Sequence, residues 1–254
     1  MIVLAIETAT GAESVALVTE NKVLAEVNAD IKFGHSSTLL LNIEKIFKTT
    51  ALEISAVDAI AVSAGPGSFT GLRVGFSLAK GLAYAAKKAF LAIPTLDALA
   101  YSFSKTGEGI TPLDGKKKKV TTLICPLLDA RKEEYYFSLY SKTEKGLVSL
   151  LASNSLPLPA LIKEVKKQKA EKIVFFGNGA DKCKEELKKS FKNADFPEVP
   201  PRASAVGALA IFKLLNNEKQ DFNKTLPMYI RKPDAVLKKQ EKQKQQGKQG
   251  KKEK

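Results

Sequence analysis

The sequence predicts an α/β protein built as two lobes. Three observations carry that prediction. Short apolar strands alternate with helical periodicity along most of the chain, which implies a partly parallel sheet with helices packed on it. The element order of the first half returns in weaker form in the second, suggesting a duplicated unit. The length, 254 residues at 44% hydrophobic composition, suffices for two modest cores.

The segments MIVLAIET, SVALVT and KVLAEVNA alternate apolar and small residues between turn formers and read as a three-stranded meander. Helical spacing follows from Ser36 to about Lys48, then the strand AIAVSA, a glycine-rich loop, a helix from about Phe69 to Lys88, the strand FLAI, and a helix beginning near Thr95. Residues 105–119 are polar, contain Gly and Pro and end in Lys116–Lys119, which marks a boundary or an exposed connection. Beyond it, VTTLICPLL, EYYFSLY and GLVSLLA read as strands, 159–168 as a helix, KIVFF as a strand and 181–192 as a helix. A helix from about Ser204 to Asn217 is expected to cross back onto the first lobe. The expected organisation is therefore a first lobe over 1–104, a smaller second lobe over 105–202, and a C-terminal helix with a strand-like end over 203–232. A tail over 233–254 completes it, and its last seventeen residues contain no apolar side chain that could offset the entropy of ordering.

Composition excludes several classes. No apolar run approaches the roughly eighteen residues of a membrane helix, and Ile2 to Ile6 lacks the basic flank and length of a signal peptide, so a cytoplasmic protein is expected. Two cysteines, Cys125 and Cys183, suit a reducing compartment. The formal charge of +14 is uneven: residues 1–104 hold 8 basic and 9 acidic side chains, and the excess lies in the second half and the tail. Lysine supplies 37 of the 41 basic residues, which favours a solvating surface over recognition of phosphate by the arginine fork. The four arginines, Arg73, Arg131, Arg202 and Arg231, each fall inside a distinctive short segment, where either ion pairing within the protein or ligand contact fits them.

The loop SAGPGSFTGLRVG (63–75) has the outline of a phosphate cradle, because glycines at a helix start expose backbone N–H groups. It fails both common templates. Five positions beyond Gly65 or Gly67, where a Walker loop needs its second glycine ahead of a lysine, stand Thr70 and Leu72, and the dinucleotide pattern lacks its third glycine at Thr70. The helix behind the loop places Gly71, Gly75, Ala79 and Ala83 at four-residue steps, a narrow stripe that fits close approach either to the protein's own sheet or to a partner's helix. His35 is the only histidine, and Leu39 stands at its i+4 position, so no helical metal pair exists. IETATGAESVAL and LLDARKEEYYF sit where sugar kinases and Hsp70-type ATPases have phosphate hairpins. Glu7, Ala9 and Ala130 occupy positions where those turns carry Asp or Gly.

Taken in order, IETAT, GHSSTLLLNI, AGPGSFTGLRVG, IPTLDALA, LDARKEEYY, GNGA and MYIR resemble the bacterial TsaB (YeaZ) family over about residues 1–232. The resemblance implies the two-lobed actin/Hsp70-like (ASKHA) α/β fold, each lobe a mixed sheet with packed helices. It also implies a non-catalytic subunit of the tRNA threonylcarbamoyl transferase, partnered by TsaD, with the ATPase TsaE joining and tRNA reached through the complex. His35 and Leu39 match the two metal-binding histidines of TsaD, so no metal and no cofactor are expected. By the same resemblance the partner interface is His35, Leu39, Ile43, Pro66, Gly67, Ser68, Phe69, Thr70, Gly71, Leu72, Gly75 and Ala79; alone, the chain is expected as a homodimer or a monomer. Thr8, Thr10, Arg73, Asp129 and Arg131 are the expected remnants of nucleotide or interlobe contacts. The contrasting readings are a kinase or ATPase of the same fold, which the missing glycine turns oppose, and a metallo-glycopeptidase, which the single histidine opposes.

Overall fold

The computed structural model describes residues 1–30, 35–104, 110–112, 121–143, 146–218 and 220–231; the side chains of 30, 35–37, 111 and 112 are excepted. The expectations for Lys116–Lys119 and for the tail over 233–254 fall outside the described residues, as does the His35 side chain.

The first lobe runs β1 (Ile2–Glu7), β2 (Ala12–Thr19), β3 (Val23–Asp30), α1 (His35–Thr50), β4 (Ala59–Gly65), α2 (Phe69–Ala86), β5 (Ala89–Pro94) and α3 (Thr95–Ser104), with a 3-10 turn at Ile54–Ala56. After the short β6 (Ile110–Pro112), the second lobe repeats the order: β7 (Thr122–Asp129), β8 (Glu134–Thr143), β9 (Gly146–Pro157), α4 (Leu158–Lys167), β10 (Lys172–Phe176), α5 (Asn178–Lys182), α6 (Lys184–Ser190) and β11 (Ala194–Asp195). The last helix is α7 (Ala203–Leu215). The sheets have orders β3-β2-β1-β4-β5 and β11-β10-β7-β8-β9-β6. Stripped of β6, the second is the first repeated, with the meander antiparallel and the crossover strands parallel. The duplication legible in the sequence is therefore a duplication of topology.

The structure departs from the sequence reading in three places. The helix expected over 181–192 is two helices that meet at Cys183, whose φ of −117° breaks the helical path. The stretch expected as an exposed connection contributes β6, which pairs parallel with β9. Residues 220–231 form an irregular strap over the first lobe, with a turn at 222–224, rather than a strand. The strap is held by single groups: the Gln220 amide bonds both the N–H and the carbonyl of Ala92, Lys80 Nζ donates to the Thr225 carbonyl at 2.9 Å, and the Met228 N–H donates to the Ala64 carbonyl at 2.6 Å.

Strand alternation sorts the cores. Leu4, Ile6, Val15, Leu17, Ile60 and Val62 point to one face of the first sheet, where α1 and α2 cover them; Val3, Ala5, Ala16, Val18, Ala59 and Ala61 point to the other, beneath α7. In the second sheet Leu123, Cys125, Phe137 and Phe175 face α4, α5 and α6, while Ile124, Leu128, Tyr140 and Phe176 face Leu96, Leu99 and Ala100 of α3. The molecule is thus a stack: α1 and α2, first sheet, α3 and α7, second sheet, then α4 to α6. Across the middle layer, the Tyr140 hydroxyl from β8 donates to Asp97 Oδ1 on α3 at 2.5 Å. Burial raises the Asp97 pKa, against that hydrogen bond and the nearby Lys213 charge. At the entrance to α7 the Glu26 carboxylate takes Arg202 at 3.0 Å and the Ser204 N–H at 2.8 Å.

Helix α7 lies close because the sheet beneath it is alanine-rich and because residue 207 has no side chain; a Cβ there would stand 2.0 Å from Val18 Cγ2. We expect Gly207→Leu to lower stability by about 1–3 kcal/mol, the usual range for overpacking, despite its better helix propensity. Urea unfolding checks this, and adding Val18→Ala to the same chain should restore part of the loss.

Candidate functional site

The turn after β1 and the loop before α2 meet backbone to backbone. The Ser68 N–H donates to the Ala9 carbonyl at 2.6 Å, and a Cβ on Gly67 would stand 2.0 Å from that same oxygen. Thr8 is buried between β1 and α2: its N–H donates to Ser63 Oγ at 3.3 Å and its hydroxyl to the Gly71 carbonyl at 2.8 Å. A Cβ on Gly75 would lie 2.1 Å from Thr8 Oγ1. Gly65 has φ +108°, and a Cβ there would stand 2.5 Å from the Met228 carbonyl oxygen of the strap. The glycines of the loop thus answer to contacts within the chain.

These facts correct the partner set expected from the sequence. Leu39, Ile43, Gly71, Leu72, Gly75 and Ala79 are buried, so the small-residue stripe of α2 is the seam by which the helix sits on its own sheet. Pro66 is buried as well; Gly67 is half-buried, and Ser68, Phe69 and Thr70 are exposed at the loop's rim. The outward ridge of α2 lies about half a turn away. It carries Val74, Ser77, Leu78, Gly81 and Ala85, and a Cβ on Gly81 would meet nothing within 4 Å. Beside it α1 exposes Leu40 and Leu41, at 56% and 62%. Periodicity alone did not separate the two faces of α2, because both carry small residues.

Glu7 ends β1 as a buried carboxyl whose Oε1 accepts the Ala9 N–H at 2.8 Å. Desolvation raises its pKa to about 7, against the opposing effect of the Ser63 hydroxyl and the Ala9 and Thr10 backbone.

Between the lobes lies a cleft of about 620 Å³. Thr10, Asp129 and Arg131 line it together with the loop rim. Two of the expected remnants do not. Thr8 lies under α2, and Arg73 stands outside with its guanidinium 3.8 Å from the Phe69 ring centroid. Asn178 and Tyr229 line the cleft too; they fall in the GNGA and MYIR segments, but the sequence alone singles out neither. Asp129 is engaged: Lys182 Nζ lies 3.0 Å from it, and its Oδ1 accepts the Arg131 N–H at 2.9 Å. The turn after it holds Arg131, Lys132 and Glu133 at φ 62°, 51° and 61°, a left-handed run made without glycine. The GNG segment also packs inward, since a Cβ on Gly177 would stand 2.4 Å from the Leu127 carbonyl oxygen and one on Gly179 2.8 Å from the Leu128 carbonyl carbon. Arg231 donates to the Ala130 carbonyl at 2.8 Å, so the strap reaches the second lobe here; this arginine and Arg202 serve contacts within the chain.

The family model described as TsaD, tRNA N6-adenosine threonylcarbamoyltransferase, matches residues 22–239. The chain is 30% identical to the tRNA threonylcarbamoyladenosine biosynthesis protein TsaB of Escherichia coli (strain K12), over 70% of this chain and 72% of that one. It belongs to the TsaB (YeaZ) family. The Bacillus subtilis (strain 168) TsaB is 28% identical over 96% of this chain and 100% of its own. The solved YeaZ structure from Pseudomonas aeruginosa superposes with a TM-score of 0.70 at 25% identity, covering 90% of this chain and all of that one. In this TsaB-family chain the most specific segment, AGPGSFTGLRVG, is the one whose glycines touch the first hairpin and the strap.

Two outcomes follow. Gly75→Leu should unfold at lower temperature than the parent, because the new side chain must displace the Thr8 side chain from beneath α2; a melt equal to or above the parent's would return the stripe to a partner. For Glu7 the folded pKa of about 7 exceeds the unfolded value near 4.5, so its favourable contribution is complete below pH 4.5 and is lost as pH rises through 7. Relative to Glu7→Gln, the parent should lose about 3 kcal/mol between pH 4 and pH 8, read by urea unfolding at each pH.

Proposed function

We propose that this chain is the non-catalytic TsaB-type subunit of a cytoplasmic tRNA threonylcarbamoyl transferase. It would hold a TsaD-like transferase through the outer face of α1 and α2, with a TsaE-like ATPase joining the pair. Its relatives, named for tRNA threonylcarbamoyladenosine biosynthesis, support the pathway. The observation that carries the non-catalytic role is the filling of the cleft's loops by the chain's own backbone, at Gly67 against Ala9 and Gly177 against Leu127. A kinase or ATPase needs those approaches open to a phosphate, so that reading is not favoured. Among the described residues no three His, Cys, Asp or Glu side chains converge as metal ligands, and no helix is long and apolar enough to cross a membrane.

The binding face follows from the corrected geometry. Leu40, Leu41, Val74, Leu78, Gly81 and Ala85 give α1 and α2, which cover one face of the first sheet, a partly exposed, mainly apolar surface flanked by Arg73, Glu44 and Lys45 and suited to another pair of helices. The same face would pair two copies of the chain when the transferase is absent.

The test separates folding from binding. Gly81→Arg, placed in open space on the helix, should melt no lower than the parent while TsaD-like partner affinity falls at least tenfold and cells relying on this chain lose threonylcarbamoyladenosine. Titration by calorimetry and nucleoside analysis of tRNA read the two results. Unchanged affinity would remove this face from the proposal.

A further inference from the structure

At the far end of the stack, the outer face of the second lobe is made by α4 and α6. Their apolar sides are used against the second sheet, where Leu161, Val165, Leu187 and Phe191 are buried, so their outward sides carry mainly charge. Between residues 163 and 195 stand ten lysines and six acidic residues. Lys167, Lys172 and Lys188 are paired with Glu164, Asp195 and Glu185. Lys163, Lys166, Lys169, Lys189 and Lys192 are exposed and make no ion pair among the described residues. Lys166 Nζ lies 5.8 Å from the ring centroid of Phe191, the residue that follows α6, so the last turn of α4 approaches the end of α6 there. Helix dipoles account for lysines in a last turn, such as Lys166 and Lys189. They do not account for Lys163, one turn earlier, nor for Lys169 and Lys192 beyond the helix ends.

We infer that this face, centred on Lys163, Lys166, Lys169, Lys189 and Lys192, docks the phosphate backbone of a folded RNA. That the RNA is tRNA rests on the function proposed above. Two features decide the class of partner. No large hydrophobic side chain is exposed anywhere on α4 to α6 among the described residues, so the face lacks the apolar anchor on which a protein interface depends. It also lacks an exposed aromatic on which an unpaired base could stack, and lysine is a flexible point charge that positions a phosphate without reading sequence. The first lobe, with 8 basic and 9 acidic residues over 1–104, offers no competing field, and the α1 and α2 face at the other end of the stack stays free for a protein.

The experiment titrates fluorescently labelled total tRNA with the full chain from about 50 to 200 mM salt. Each phosphate contact contributes nearly one unit to the slope of log K against log salt, so replacing the five lysines by Gln should lower that slope by about three to five. Affinity at the lowest salt should fall at least tenfold while the thermal melt is unchanged, and the same five positions as Arg should restore binding. Equal tRNA affinity in the parent and the Gln chain overturns the inference. So does a full loss produced instead by replacing the eight lysines of 238–254, or a Gln chain that keeps tRNA but loses the transferase partner, which would give the face to an acidic protein. Complementation by the parent chain is scored separately. If it fails to restore threonylcarbamoyladenosine, the proposed function falls, whereas the titration still decides the face.

Discussion

The contact between the Ala9 carbonyl and the Ser68 N–H is the constraint around which the first lobe is arranged. It requires residue 67 to lack a side chain, fixes where α2 begins, and thereby sets Gly71 and Gly75 over Thr8. Once α2 is seated on that line, its opposite ridge faces outward beside α1, so which side chains the helix exposes is a by-product of how the loop meets the hairpin. The second lobe repeats the device with different residues, pressing Gly177 and Gly179 against the end of β7. In both lobes, glycines in positions suggestive of ligand approach serve the approach of one strand end to another segment of the same chain.

What the sequence made legible depended on periodicity. Strands such as Ile2–Glu7 and Lys172–Phe176, buried on both faces, appear as short apolar runs between turn formers, and their repeated order discloses the duplication. The helix after 181 was less legible because the break at Cys183 leaves no Pro or Gly as a mark. The strap over 220–231 was legible only as a strand-like end over 203–232, since its attachments are one glutamine amide, one lysine and one backbone N–H, none of which makes a repeat. For the site, Thr10, Asp129 and Arg131 were found through their turns. That Leu40, Leu41 and Gly81 are exposed was not legible, because a helix with small residues on two faces gives no rule for which one is buried.

The layered arrangement separates jobs by distance. The α1 and α2 layer exposes Leu40, Leu41 and Gly81 beside Arg73, Glu44 and Lys45, the middle layer of α3 and α7 joins the sheets, and the last layer carries part of the lysine excess. Because α7 returns from the second lobe to the first, the chain crosses the junction twice, and the Tyr140 to Asp97 bond adds a polar tie. Such a scaffold can bear load at its two ends without either surface intruding on the other.

The Gln220 amide has a role that its two hydrogen bonds to Ala92 only begin to describe. β5 borders the first sheet, and a border strand with open N–H and carbonyl groups is a template on which another chain can add a strand. The amide imitates one residue of such a strand, donating and accepting at Ala92, while Phe222 packs against the Phe90 ring beside it. The strap therefore acts as a decoy neighbour that ends the sheet. Selection for solubility, independent of any partner, would be enough to hold it in place.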